Sequence, residues 1–188
     1  TGPFLLVQLS DPHIGATWAG GDPVAGLRAA VESVRRLPDR PDAILMPGDL
    51  ADNAADGEYE LVRDLLAEIG VPVFVLPGSH DDRDRLRAHF DCPGRGIGAW
   101  DEIGLPVDDR RACGEVVHRH PHVRRIVAGH IHRAMTGELA GRAVVAVPST
   151  YVQGRLSFNS GELETAPEPP GFGVHPCSTE SSPRTSRR

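Results

Sequence analysis

Lysine is missing from this sequence: all 20 of its basic residues are arginine. That absence excludes a Walker-type phosphate loop, a Schiff-base enzyme and the strand lysine of a protein kinase, because each needs an ammonium group on a flexible stem. Cysteine is nearly as scarce. Cys92, Cys113 and Cys177 are odd in number, far apart and form no C-x-x-C pair, so a disulfide framework and a thiolate zinc site lack support and a reducing compartment is the simpler reading. There is no excess of positive charge either. A formal net charge of −6 offers no basic patch for a nucleic acid polymer or an anionic membrane. No apolar run reaches the length of a membrane span, and the opening "TGPFLLVQLSD" has no charged leader before its hydrophobic part. The expectation is a cytoplasmic protein without membrane association. The chain starts at Thr1, so a removed leader stays open, and nothing marks an oligomeric state.

What is there fits one domain of 188 residues. Residues 5–9 form a continuous apolar strand candidate, and Leu27, Ala30, Val31, Val34 and Leu37 follow at helical spacing until "PDRPD" breaks the pattern. A second short strand over 43–46 precedes a helix on Tyr59, Val62, Leu65, Leu66 and Ile69, with Asp56 as its expected cap and Gly70 as its stop. Residues 71–76 read as the third strand. This β-α-β-α-β alternation implies right-handed crossovers and a mainly parallel sheet, hence an α/β fold. Leu86, His89 and Phe90 suggest a short helix, residues 91–106 a loop, and Ala112, Cys113, Val116 and Val117 a further helical face. Residues 123–128 are the fourth strand, "AMTGELAGRAVVAVPS" two strands joined at Ala140 and Gly141, and 155–158 a weaker one. Residues 1–163 are taken as the folded domain and 164–188, rich in Pro and Ser, as a disordered tail.

Four apolar runs end in the same way: "FLLVQLSDPH", "AILMPGDL", "VLPGSHDD" and "RIVAGHIH" each stop at Asp or His. Taken singly, an Asp after a strand is better explained as a cap or a turn, and a His as a hydrogen-bonded structural residue. Taken together, Asp11, His13, Asp49, His80, His130 and His132 fall just past the carboxyl ends of strands, which is where ligands bind in open α/β sheets. Carboxylate and imidazole donors without thiolate suit zinc, manganese or iron at a catalytic centre, not a structural zinc clip. In such a centre an Asp from a central strand, here Asp49, can bridge two cations, and the water they activate can attack phosphorus.

The blocks "DPH", "GDL", "GSHD" and "GHIH", in this order, resemble the D-x-H, G-D, G-N-H-D and G-H-x-H blocks of calcineurin-like metallophosphoesterases, in the bacterial branch of class III cyclic nucleotide phosphodiesterases and glycerophosphodiesterases. The resemblance runs from about residue 4 to 151. It implies a layered αββα sandwich, shortened in the middle, and two divalent ions of the manganese, iron or zinc type, one-ion occupancy being the alternative. Asp11, His13, Asp49 and His132 would hold one ion, Asp49 and His130 the second, and His80 would be the acid at the leaving oxygen. The implied reaction is hydrolysis of a small phosphodiester, a 3′,5′-cyclic nucleotide or a glycerophosphodiester, by metal-activated water.

The sequence departs from the family twice. Ser79 stands where the family has an Asn ligand, and only 48 residues separate Asp81 from His130, without the family's further His-rich block. His118, His120 and His122 read as surface residues, with a rescue role for His120 as the alternative, and His89 reads as half-buried helix surface. His175 carries no expectation. Arg124, Arg125 and Arg133 are the candidates for a substrate phosphate. Ser79 beside His80 does not make a serine hydrolase, since no G-x-S-x-G turn occurs. The rival reading is a degenerate homologue that keeps the fold and binds metal or nucleotide without turnover.

Overall fold

The computed structural model describes residues 4–90, 107–155 and 164–177. The first half is the expected alternation: β1 (Phe4–Gln8), α1 (Pro23–Arg35), β2 (Ala43–Pro47), α2 (Asp56–Ala67), β3 (Val73–Leu76) and α3 (Arg83–His89). Asp22 starts α1 by accepting from the N–H groups of Val24 and Ala25, with Pro23 in the first turn, where its missing N–H costs nothing. α2 departs from expectation in detail. Its cap position is Ala55, whose N–H donates back to the Glu58 carboxylate at 3.1 Å, and Asp56 is the first helical residue. Gly70, at φ 72, ends that segment as anticipated.

β1, β2 and β3 pair in parallel in the order β3-β2-β1. Val7, Ile44, Met46 and Val75 meet Leu27, Val31 and Val34 of α1 and Tyr59, Val62, Leu65 and Leu66 of α2 in one apolar core. Nearly all of these side chains are withdrawn from water, and at ~25 cal/mol per Å² of apolar surface this burial is the main term holding the first half together.

Past the loop expected at 91–106, which lies outside the described residues, come α4 (Val107–Arg119) and β4 (Arg125–Ala128). β5 (Met135–Leu139) and β6 (Arg142–Ala146) follow as a hairpin whose two turn residues, Ala140 and Gly141, both have positive φ, which suits the twist of the strands. β4 and β6 pair in parallel and β6 with β5 antiparallel, giving a second sheet β4-β6-β5. β7 (Gln153–Gly154) pairs with β8 (Thr165–Ala166), and the strand expected at 155–158 lies, from residue 156 on, outside the described residues.

The tail needs a correction. Within the segment expected to be disordered, β9 (Gly173–Cys177) pairs antiparallel with β1 along its whole length, Phe4 to Cys177 through Gln8 to Gly173. Composition misled here because an edge strand needs only one buried position. His175 is that position, and Pro176 is tolerated at a sheet edge. The two sheets meet through polar ties: Gln8 Nε2 donates to the Ala128 carbonyl at 2.9 Å, His175 Nε2 lies 2.9 Å from Gln8 Oε1, and Arg125 donates to His175 Nδ1 at 2.8 Å. No described helix is long and apolar enough to cross a membrane.

Candidate metal centre

The loops after β1, β2, β3 and β4 converge. The loop after β1 continues alongside the loop after β2, with His13 N donating to the Asp49 carbonyl at 3.1 Å and Ile14 N to that of Leu50 at 3.0 Å. Asp11 and Asp49 are buried, at 0% and 1% exposure, so their charges need partners. Asp11 Oδ1 accepts from the Asp49 N–H at 3.0 Å, and Oδ2 from the His130 N–H at 2.7 Å and the Ser10 hydroxyl at 2.5 Å. Asp49 Oδ1 accepts from the His80 N–H at 2.7 Å. The first block thus binds the second and the fourth, and the second binds the third, through backbone N–H groups.

The glycines of the blocks follow from this crowding. Gly48 has φ 104, and a β-carbon there would overlap the Asp11 carboxylate; one at Gly78 would overlap that of Asp49. Strain accompanies it. Asp11 (φ 48), His13 (φ 45), His130 (φ 72) and His132 (φ 47) all have left-handed backbones, which cost on the order of 1–3 kcal/mol each and cluster where surrounding structure enforces them for function.

Two groups of donors result. Asp11, His13 and His132 offer atoms that all lie within 4.8 Å of one another, and so do His13, Asp49 and His80. His13 Nδ1 lies 2.9 Å from Asp52 Oδ1, and His132 Nδ1 lies 2.9 Å from the Val152 carbonyl. Carboxylate and carbonyl only accept, so both Nδ1 atoms carry the proton and both Nε2 atoms of the neutral rings present lone pairs. Those two Nε2 atoms face each other at 3.1 Å, and His13 Nε2 is 3.5 Å from Asp49 Oδ2. Lone pairs and two carboxylates converging in a buried place call for a cation, and this donor set suits a divalent one.

The electrostatics agree. Burial would raise the Asp49 carboxyl, but the His130 imidazole, the His80 N–H and the neighbouring His80 ring outweigh it and hold it down to about 2. At 3.9 Å the His130 ring acts on Asp49 as a charge, not as a hydrogen-bond donor, and Asp49 in turn raises the His130 pKa against the opposing effect of burial. Burial pushes His132 down, toward the neutral form that can ligate.

The second side is barer. Among the described residues no group of three donors includes His130, and Ser79 reaches Asp49 only at 3.5 Å. His80 is 42% exposed, and its Nδ1 lies 3.1 Å from the Asp52 carbonyl. The exposed His120 lies against His122, in neither donor group. His89 lies over Tyr59 and beside Asp56. Of the candidate phosphate-binding arginines, Arg125 is engaged by His175 and Arg133 by Glu168, at 2.6 Å.

Sequence reasoning missed Asp52, whose Oδ1 touches His13, approaches His80 Nδ1 at 3.4 Å and accepts from Trp18 Nε1 at 3.1 Å. Its signal was available, three residues past Asp49 in "GDLAD" and on the same loop. Asp81 was missed as well: it accepts from the N–H groups of Leu50, Ala51 and Gly78 at 2.9–3.0 Å, locking the second block to the third.

Comparison with known proteins agrees with this geometry. The chain is 37% identical over 87 residues to the 3′,5′-cyclic adenosine monophosphate phosphodiesterase CpdA of Pseudomonas aeruginosa, covering 44% of this chain and 32% of that one. It is 31% identical over 84 residues to the glycerophosphodiester phosphodiesterase GpdQ of Enterobacter lignolyticus, covering 43% and 30%. The chain therefore spans about a third of the length of these curated relatives. In fold it is similar to TT1561 of Thermus thermophilus, with a TM-score of 0.51 at 15% identity over 88% of this chain and 99% of that one. The family model for calcineurin-like phosphoesterases matches residues 4–111, more than half of the chain, and the protein belongs to that family.

Proposed function

We propose that the protein is a metal-dependent phosphodiesterase acting on a small diester, a 3′,5′-cyclic nucleotide or a glycerophosphodiester. The observation that carries this reading is the pair of Nε2 lone pairs at 3.1 Å beside two buried carboxylates. Asp11, His13, Asp49 and His132 would hold the first ion, and Asp49 with His130 the second. Bound divalent metal supplies Lewis acidity toward the phosphoryl oxygens and makes water nucleophilic near neutral pH.

The chain's own residues do the rest. Asp52 fixes the tautomer and tilt of His13, and the Val152 carbonyl those of His132. His80, at the open edge and within reach of Asp52, holds a proton for the departing alcohol. Strained loops locked through Asp11 and Asp81 keep these groups in place before substrate arrives. On the cysteine argument, the setting is cytoplasmic.

A second reading has its own observation. Ser79 and the thin surroundings of His130 favour a chain that keeps one ion and binds without turnover. The two separate by measuring manganese, iron and zinc per chain and assaying bis(p-nitrophenyl) phosphate with added manganese, wild type against Asp49→Asn. Turnover that Asp49→Asn abolishes supports the enzyme; at most one ion with no turnover under any metal supports the binder.

A further inference from the structure

Trp18 sits in the loop between β1 and α1 and is 48% exposed. A lone exposed apolar side chain is ordinary on a protein surface. This one is unusual in how firmly it is held while remaining open. Its Nε1–H donates to Asp52 Oδ1, the same oxygen that orients His13. Its ring lies 5.5 Å from that of His13 at 89° and 5.3 Å from that of Tyr151 at 82°, and 6.4 Å from His132. The next residue is pinned too, Ala19 N donating to the Tyr151 hydroxyl at 3.3 Å. A large π-surface, immobilised beforehand, therefore stands beside the first donor group of the metal centre.

From this placement we infer that Trp18 is a specificity-determining residue, the platform on which a planar aromatic part of the substrate stacks while its phosphodiester lies at the metal centre. This rests on the phosphodiesterase reading and narrows it. A nucleobase, one ribose away from its phosphate, offers a π-face to the indole, and a glycerol or ethanolamine group offers none. Stacking on an ordered ring carries little entropic cost, because the indole does not have to be fixed on binding. The structure thus favours a 3′,5′-cyclic nucleotide over a glycerophosphodiester.

The test must separate stacking from the hydrogen bond to Asp52. Trp18→Phe keeps a ring and removes the N–H; Trp18→Leu removes both. With manganese-loaded protein, kcat and KM are measured for 3′,5′-cyclic AMP and for glycerophosphoethanolamine. The proposal expects Trp18→Leu to raise KM for cyclic AMP by on the order of tenfold or more and to leave the ratio of KM values near one for the aliphatic diester, with Trp18→Phe recovering most of the nucleotide preference. Equal losses on both diesters would reduce Trp18 to a support for Asp52 and overturn the proposal. A binding arm stands apart from turnover: AMP should quench tryptophan fluorescence saturably in the wild type and not in Trp18→Leu, and glycerol 3-phosphate should quench neither. Should the wild type hydrolyse neither diester, the phosphodiesterase reading fails, and the quenching arm still decides whether Trp18 stacks a base; no AMP-dependent quenching overturns that.

Discussion

The two main sheets contribute unequally. β3-β2-β1-β9 shares a dry core with α1 and α2, and every residue of that core cluster lies between Val7 and Phe90. β4-β6-β5 is mostly half-exposed: in its strands only Ala146 is buried, and every position of β5 except the half-buried Leu139 is open to water. Yet both sheets must deliver donors to one place, Asp11, His13 and Asp49 from the first and His130 and His132 from the second. The difference shows where rigidity comes from. The first sheet holds its ligands by packing, and the second is held onto it by a few polar ties and, on the proposed function, by metal.

The sharpest way to break this comparison is to remove one donor from each side. Asp49→Asn, in the packed half, should lower phosphodiester turnover by more than about 100-fold, since losing a partner one shell further out already costs 10–100-fold, and should reduce metal per chain. His130→Ala, in the open half, should leave the ion at Asp11, His13 and His132 in place, as read by metal analysis of the dialysed protein. Asp52→Asn comes next. It should weaken manganese binding by about 10–100-fold without unfolding the chain; unchanged affinity, measured by titration calorimetry, would mean that the proton on His13 Nδ1 does not matter.

These residues also mark how far the sequence could be read. The parallel β-α-β-α-β half was legible because continuous apolar strands and 3.6-residue periodicity report burial directly, and Leu27 to Val34 and Tyr59 to Leu66 are that burial. The six candidate residues were visible because each follows an apolar run. Trp18 was not, since its importance lies in meeting Asp52 from a loop far away in the chain, which no periodicity encodes, and Asp52 had only its place three residues past Asp49 to mark it. β9 was hidden for a related reason. An edge strand that buries one histidine has the composition of a tail.

Apolar packing offers the next contrast. Leu66→Ala removes a side chain that is 1% exposed in the first core and should cost about 2–5 kcal/mol in urea unfolding. Val145→Ala, on half-exposed β6, should cost less than half of that, because water already reaches the site and little cavity forms. Equal losses would mean that the second sheet is packed as tightly as the first, and the asymmetry would fall.

The smallest effect bears on the seam itself. His175 is 6% exposed and satisfied only as a neutral ring: Nε2–H donates to Gln8, and the Nδ1 lone pair accepts from Arg125. Burial first, and the Arg125 charge second, push its pKa below the ordinary value of 6.5. Protonation would set two donors face to face and add a second positive charge. In the unfolded chain His175 titrates normally, so below about pH 6.5 that state binds more protons than the folded one, and stability must fall with pH until the folded-state pKa is passed. Urea unfolding at pH 8 and pH 5 should therefore show a loss on acidification that is smaller in His175→Gln, which cannot titrate. Other groups, the centre's own histidines among them, contribute equally to both proteins and cancel in the difference. If the two proteins lose the same stability, the tie between Arg125 and His175 is not what holds β4 to β9, and the seam rests on its other bonds, Gln8 to Ala128 and His130 to Asp11 among them.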